Sequence, residues 1–262
     1  MARFCTLCSS SSGNSTYIGT ASYGILIDAG TNNKQLLLAM QRAGIEPESI
    51  KAVFVTHEHS DHIGALRVFA SARKLPVYAT GGTLSGLLNQ GVLNGKFPHE
   101  KILSSGVTVG DIHVSSFKTS HDSKESCGYK IELPDRRIGV ATDTGVFTEE
   151  IFSALSDCEL VLLESNYDEQ LLDFGGYPPP LKARIRSATG HLSNPDCADA
   201  ACRLLESGVR RFVLGHLSRD NNTPDRALSC TRSALRRMGA EDGRDFLIQT
   251  APVSNMEGFI TF

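Results

Sequence analysis

The stretch "VFVTHEHSDH" ends an apolar run on four groups able to hold a cation: His57, His59, Asp61 and His62. Three imidazoles and a carboxylate within six residues make poor core material. They suit a divalent metal, which favours imidazole nitrogen and carboxylate oxygen. In an extended turn His57 and His59 point the same way, while Asp61 and His62 lie further round as the next helix starts. One cation cannot easily take all four; two neighbouring cations can share them.

Further ligands are expected at other strand ends. His121 ends "VSSFKTSHD", Asp143 ends "IGVATD" and His216 ends "FVLGH", each after an apolar or alternating run. Gly-His-Leu-Ser occurs twice, at 190–193 and 215–218. His216 follows a buried strand and is the better ligand. His191 precedes a capped helix and is left for another role.

These residues need a frame that brings distant strand ends together. "GILIDAG" reads as a strand ending at Asp28, "NNKQLLLAMQRAG" as a helix stopped by Gly44, "KAVFVT" and "LPVYAT" as strands. "SDHIGALRVFASARK" reads as one helix between the last two. Residues 101–142 read as an antiparallel meander. Strand–helix alternation then returns: "CELVLLES", a helix over "NPDCADAACRLLESG" with Asn194 as cap and Pro195 in its first position, "VRRFVLGH", a helix over "TPDRALSCTRSALRRMG", and "DFLIQT". "GGYPPP" reads as a stiff turn, and no linker separates domains. Two sheets face to face with helices outside would bury these runs, in a single domain over 1–262.

Composition narrows the class. The chain has 262 residues, 40% hydrophobic and 21% charged, enough for a sizeable core and too ordered in pattern for wholesale disorder. No apolar run approaches the ~18–20 residues of a membrane span. The N-terminus has no long apolar segment of the signal-peptide kind, and the seven cysteines are scattered, so a reducing cytoplasm is expected. Cys5 and Cys8 in "CTLC" lack a second pair and read as strand packing. The net charge is −3, but residues 180–245 hold twelve Lys/Arg against eight Asp/Glu, leaving −7 for the remainder. A basic C-terminal third suits a phosphate backbone.

The ordered set of Asp28, "HEHSDH", His121, Asp143 and His216 resembles the metallo-β-lactamase superfamily over nearly the whole chain. That resemblance implies a four-layer αβ/βα sandwich of α/β class. It implies that His57, His59 and His121 hold one metal, that Asp61, His62 and His216 hold another, that Asp143 bridges them, and that Asp28 orients an imidazole from behind. The metals expected are zinc or manganese, with iron also chemically admissible.

Spacing within the superfamily selects a branch. Twenty-one residues between His121 and Asp143 leave no room for a long tRNA-gripping arm, and about seventy between Asp143 and His216 exclude a large inserted nuclease domain. No helical domain of the glyoxalase II kind follows His216, and His59 stands where flavodiiron proteins carry a glutamate. "SSSSGNST", "THEHSDHI", "TDTG", "LESNYD", "GHLSNPD" and "HLSRDNN" together resemble the YycJ/WalJ (VicX) family, which is bacterial, cytoplasmic and linked to 5′-to-3′ exonuclease activity on DNA.

The resemblance therefore implies a phosphodiesterase in which water activated between two metals attacks phosphorus, with DNA favoured over RNA as substrate. By analogy with tRNase Z-like nucleases, Glu164 orients His191, and His191 protonates the leaving oxygen. Asp61 is a further proton acceptor. Ser11, Gly13 and Asn14, together with Arg219, Asn221 and Asn222, are candidate substrate contacts; Arg184 and Arg186 are weaker ones. The alternatives are a hydrolase of small esters, lactones, thioesters or cyclic phosphodiesters, and a regulatory binding module. Oligomeric state is left open.

Overall fold

A computed structural model describes residues 1–102, 105–254 and 259–261. Leu103 and Ser104, inside the run read as a meander, lie outside the described residues.

The first sheet takes β1 (Arg3–Ser10), β2 (Gly13–Gly19), β3 (Gly24–Ile27), β4 (Ile50–Phe54), β5 (Val77–Ala79) and β6 (His99–Lys101). The second takes β7 (Val107–Val109), β8 (Ile112–Lys118), β9 (Cys127–Glu132), β10 (Arg137–Ala141), β11 (Leu160–Glu164), β12 (Arg211–Gly215) and β13 (Leu247–Thr250); β14 (Ile260–Thr261) returns to β1. The order is β14-β1-β2-β3-β4-β5-β6 in one sheet and β13-β12-β11-β10-β9-β8-β7 in the other. Each has an antiparallel part, β1–β3 and β7–β10, continued by parallel strands, β3–β6 and β10–β13.

Strand alternation builds the layers. Ile25 and Ile27 of β3, Ala52 and Phe54 of β4, Leu160 and Leu162 of β11, and Val213 of β12 enter the core between the sheets. Their neighbours face outward. Leu26 and Val53 pack under α1 (Asn33–Arg42) and α3 (Leu66–Arg73), which contribute Leu36, Met40 and Phe69. Val161, Leu163 and Leu214 pack under α8 (Asn194–Ser207) and α9 (Pro224–Arg237), through Leu204 and Leu235. This is the α/β sandwich of two mixed sheets with helices outside. Among the described residues, no helix is long and apolar enough to cross a membrane.

Several local expectations change. The helix read from "SDHIGALRVFASARK" is two: α2 (Ser60–Ile63), then α3. The cause is the loop after β3, which clamps onto it: Ala29 N–H donates to His62 O at 2.9 Å and Ala65 N–H to Ala29 O at 2.8 Å. Gly30 makes this clamp feasible, since a Cβ there would lie 1.6 Å from the Asp61 carbonyl oxygen. Ser193, not Asn194, caps α8: its side chain accepts from Asp196 N–H while the Asp196 carboxylate bonds back, a capping box. Asn194 instead pairs its amide with Asn222. "SSSSGNST" is mostly strand, ending β1, turning at Ser11–Ser12 and opening β2. "GGYPPP" leads directly into a helix. Composition also concealed α4 (Gly81–Asn89), α5 (Glu149–Leu155), α6 (Glu169–Phe174) and α7 (Pro179–Ile185). Cys5 and Cys8 are buried within β1, as strand packing requires.

Candidate metal centre

The candidate residues converge at the C-terminal ends of the central strands. Asp28 follows β3, His57 lies just past β4, His121 past β8, Asp143 past β10, Glu164 ends β11 and His216 follows β12. Asp28, Asp143 and His216 adopt left-handed backbone, with φ of 62°, 58° and 54°. Apart from Lys74, which closes α3, they are the only such non-glycine residues described. Each position costs roughly 1–3 kcal/mol, held in place by the packed strand behind it. The turn swings each side chain across the sheet end.

Donor atoms of His57, His59 and His121 lie within 4.8 Å of one another; so do those of Asp61, His62 and His216. Asp143 joins both neighbourhoods: its carboxylate is 3.3 Å from His62 Nε2, 3.4 Å from His216 Nδ1 and 3.8 Å from His121 Nε2. Buried atoms without a hydrogen bond among the described residues include His57 Nε2, Asp143 Oδ2 and His216 Nε2. The lone pairs of His57 Nε2 and Asp143 Oδ2 are costly to bury unless something electropositive meets them. A divalent cation does so, and the nitrogen–oxygen donor set suits one.

Acceptors behind the imidazoles fix their orientation. Asp28 Oδ2 takes His62 Nδ1 at 2.8 Å and the Thr56 hydroxyl at 2.8 Å, while its Oδ1 accepts from Thr56 N–H at 2.8 Å. Gly190 O accepts from His121 Nδ1 at 3.0 Å. Glu164 Oε1 is shared, 2.8 Å from both His191 Nδ1 and His216 Nδ1, and Glu164 Oε2 accepts from the backbone N–H of Thr144 and Leu192. His62 Nε2 and His121 Nε2 are thus turned toward Asp143, and His216 Nε2 toward Asp61.

Electrostatics divides the histidines. Burial, helped by His62 nearby, drives His57 well below the ordinary imidazole range, and burial also lowers His121. Both are therefore neutral, the form that binds metal. Burial alone would lower His216, but the carboxylates of Asp143, Asp61 and Glu164 reverse this and raise it to about 10. Asp143 and Asp28 likewise lift His62 well above its usual value against the effect of burial. Burial raises carboxyls, yet the surrounding imidazoles hold Asp143 well below the carboxylate range and Asp61 below it. His191 and His216 hold Glu164 at about 2.

The centre opens on a cavity of about 220 Å³ lined by His59, Asp61, His191, Ser11, Tyr177 and Arg184, among others. Ser11 is exposed there. Several expected substrate contacts are not at this surface. Asn14 is buried and spends its amide 3.1 Å from His62 Nε2 and 3.3 Å from Asp61 Oδ2. Asn221 and Asn222 are buried, bonded to Ser218 and to Ser165 and Asn194, and brace the loop. Gly13 is buried in β2, where the close approach it permits is to Thr31. Arg184 lines the cavity but is already bonded to Asp122, and Arg186 pairs with Asp173. Arg219 is exposed on the wall of a neighbouring cavity.

Four supporting residues escaped the sequence reading: Thr56, Ser9, whose Oγ accepts from His216 N–H at 2.8 Å, Asn166, which donates to His216 O at 2.8 Å, and Thr144. Thr56, Thr144 and Asn166 are signalled only by lying within two residues of His57, Asp143 and Glu164; nothing in the sequence signals Ser9, which is 207 positions from His216.

The β-lactamase superfamily domain matches residues 23–217, about three-quarters of the chain. Exodeoxyribonuclease YycJ of Bacillus anthracis is 35% identical over 94% of this chain and 93% of its own length. The chain belongs to the metallo-β-lactamase superfamily, in the YycJ/WalJ branch. Exodeoxyribonuclease WalJ of Streptococcus pneumoniae is 33% identical over 95% of this chain and 94% of its own. Among solved structures, Zn²⁺-bound PqqB of Methylobacterium extorquens superposes with a TM-score of 0.75 at 17% identity, each chain fully covered. The metallo-β-lactamase fold protein YhfI of Bacillus subtilis gives 0.74 at 15%, covering 97% of this chain and 98% of its own. These two likenesses establish the fold. In this chain that fold carries clustered histidine and carboxylate donors suited to a divalent cation.

Proposed function

We propose that this member of the YycJ/WalJ branch is a divalent-cation-dependent phosphodiesterase, a 5′-to-3′ exonuclease on DNA, acting as one domain over residues 1–262. The observation that carries the reading is the pair of three-donor sets meeting at Asp143, with His191 beside them on an open cavity. The exodeoxyribonuclease relatives, matched over nearly their whole length, point the same way.

His57, His59 and His121 would hold one zinc or manganese ion, Asp61, His62 and His216 a second, and Asp143 both. When bound, such ions polarise phosphoryl oxygens and acidify water. The chain's residues then do the rest. Asp61, at the cavity, accepts a proton from the attacking water. Glu164 fixes His191 through Nδ1, so His191 Nε2 carries the proton given to the departing 3′ oxygen. A bond forms from water oxygen to phosphorus, the bond from phosphorus to O3′ breaks, and a strand with a 5′-phosphate remains. His191 is suited to this, since its side chain is 13% exposed against 0% for Glu164 behind it. A positioned acid is worth roughly 10²–10⁴-fold in rate.

Incubation of 5′- and 3′-labelled DNA and RNA with manganese- or zinc-loaded protein tests this. Stepwise loss from the 5′ end of DNA, abolished by His59→Ala and cut at least about 100-fold by His191→Ala, is expected. Inert DNA with turnover of small esters or lactones would move the protein to another reaction class.

A further inference from the structure

The cavity over the centre has two banks of different chemistry. One is an arm, α6 and α7 joined through 175–178, docked by Tyr167, Leu172 and Ile185 with Tyr177 and Leu181 packed against them. The arm's cations are spoken for: Lys182 Nζ donates to Asp173 O at 2.7 Å, Arg184 grips Asp122 and Arg186 pairs with Asp173. It lines the cavity with Tyr177, Leu181 and Ile185, and with Arg184, whose charge is already met by Asp122. The Tyr177 hydroxyl, bonded to Asp220 at 2.7 Å, holds that ring in place. Three residues earlier Phe174 is 90% exposed, an aromatic that packs on nothing in the core.

The opposite bank is the β1–β2 turn. Ser11 faces the cavity over the centre, while Ser10, Ser12 and Gly13 line a second cavity of about 440 Å³ beyond it. Arg219 lines that cavity too, next to Ser218 of the first, and has no hydrogen bond or ion pair among the described residues. Hydroxyls and an uncommitted guanidinium suit phosphate oxygens; a fixed aromatic ring with spent cations suits a nucleobase.

We propose that a single DNA strand crosses the centre with its bases against Tyr177 of the arm and its phosphates against the Ser11–Ser12 turn and Arg219. This rests on the phosphodiesterase reading and adds the form of substrate. A base paired inside a duplex is stacked between its neighbours and has no free face for Tyr177, so in this arrangement the terminal nucleotides enter unpaired. Phe174 extends the stacking bank outward.

The test uses the cation-loaded full chain and a short thymidine strand with uncleavable phosphorothioate linkages, carrying the fluorescent base 2-aminopurine near its 5′ end. Stacking quenches this base. Expected are quenching on binding, about tenfold weaker binding with lost quenching for Tyr177→Ala, and recovery of both in Tyr177→Phe. Replacing the fluorescent base by an abasic sugar should weaken binding to the parent equally, a comparison that needs no altered protein. Arg219→Ala should lower the salt dependence of binding by about one phosphate contact while leaving quenching intact. A strand that binds with its base still bright, and as tightly without that base, overturns the stacking bank but leaves the nuclease reading standing. A loaded protein that neither binds nor cleaves any DNA strand overturns both.

Discussion

Replacing Glu164 by Gln alters one atom and breaks a hub. The carboxylate accepts four hydrogen bonds: Nδ1 of His191 and of His216 on Oε1, both at 2.8 Å, and the backbone N–H of Thr144 and Leu192 on Oε2, at 3.0 and 3.2 Å. An amide keeps one oxygen. Whichever way it turns, its NH₂ faces two donors that lose their acceptor. A hydrogen bond to a charged group contributes about 1.5–3 kcal/mol, so two of them amount to about 3–6 kcal/mol, part of which is regained because a buried charge is removed. A net loss of about 3 kcal/mol is expected, or roughly 6 °C in Tm for a chain of this size.

Glu164→Gln should also bind divalent cations about 10–100-fold more weakly, because His216 loses its orienting partner, whereas His191→Ala should not. Both variants should lose nuclease activity by at least about 100-fold. Proton linkage gives a further signature. Glu164 falls from 4.5 to about 2 on folding, so its stabilisation is complete above pH 4.5 and disappears as pH drops through about 2. The stability gap between parent and Gln variant should therefore close over that window. Chemical melts across pH, calorimetric cation titration and strand-release assays read these effects. A Gln variant with parental cation affinity and turnover would refute the shared-oxygen argument.

Three other outcomes follow from the same structure. His216 rises from 6.5 to about 10 in the cation-free protein, so the stability it lends is full below pH 6.5 and lost as pH rises through about 10; cation affinity should climb over that range, with proton release visible as buffer-dependent binding heat. Gly30→Ala, with its Cβ 1.6 Å from Asp61 O, should destabilise by about 3 kcal/mol in a urea melt and weaken cation binding by displacing α2. Burial pushes Cys5, Cys8, Cys127, Cys158 and Cys197 up to about 12 and raises Cys202 and Cys230 too, but only these last two are partly exposed, so mass spectrometry after mild alkylation of native protein should find adducts only on them.

The convergence of donor groups was legible because they sit at strand ends, where an apolar run stops on a residue that has no place in a core. His57, Asp143 and His216 carry that signal in three to six residues each. The sheets were legible in the alternation of β3, β4, β11 and β12. The supporting groups were not. Thr56, Ser9 and Asn166 are small polar residues of ordinary type, and their roles arise from contacts such as Ser9 with His216, 207 positions apart. The arm hid behind "GGYPPP", where Pro178 precedes a helix whose first turn tolerates proline. Asn14, Asn221 and Asn222 misled for a related reason: polarity near a site marks either a surface that meets substrate or a buried brace, and only burial separates the two.

Native mass spectrometry of protein purified without chelator and supplied with zinc or manganese is the most direct measure of the centre. Two cations per chain are predicted, with one retained by His59→Ala. A parent that takes up none, or a His59→Ala variant as fully loaded as the parent, contradicts the account.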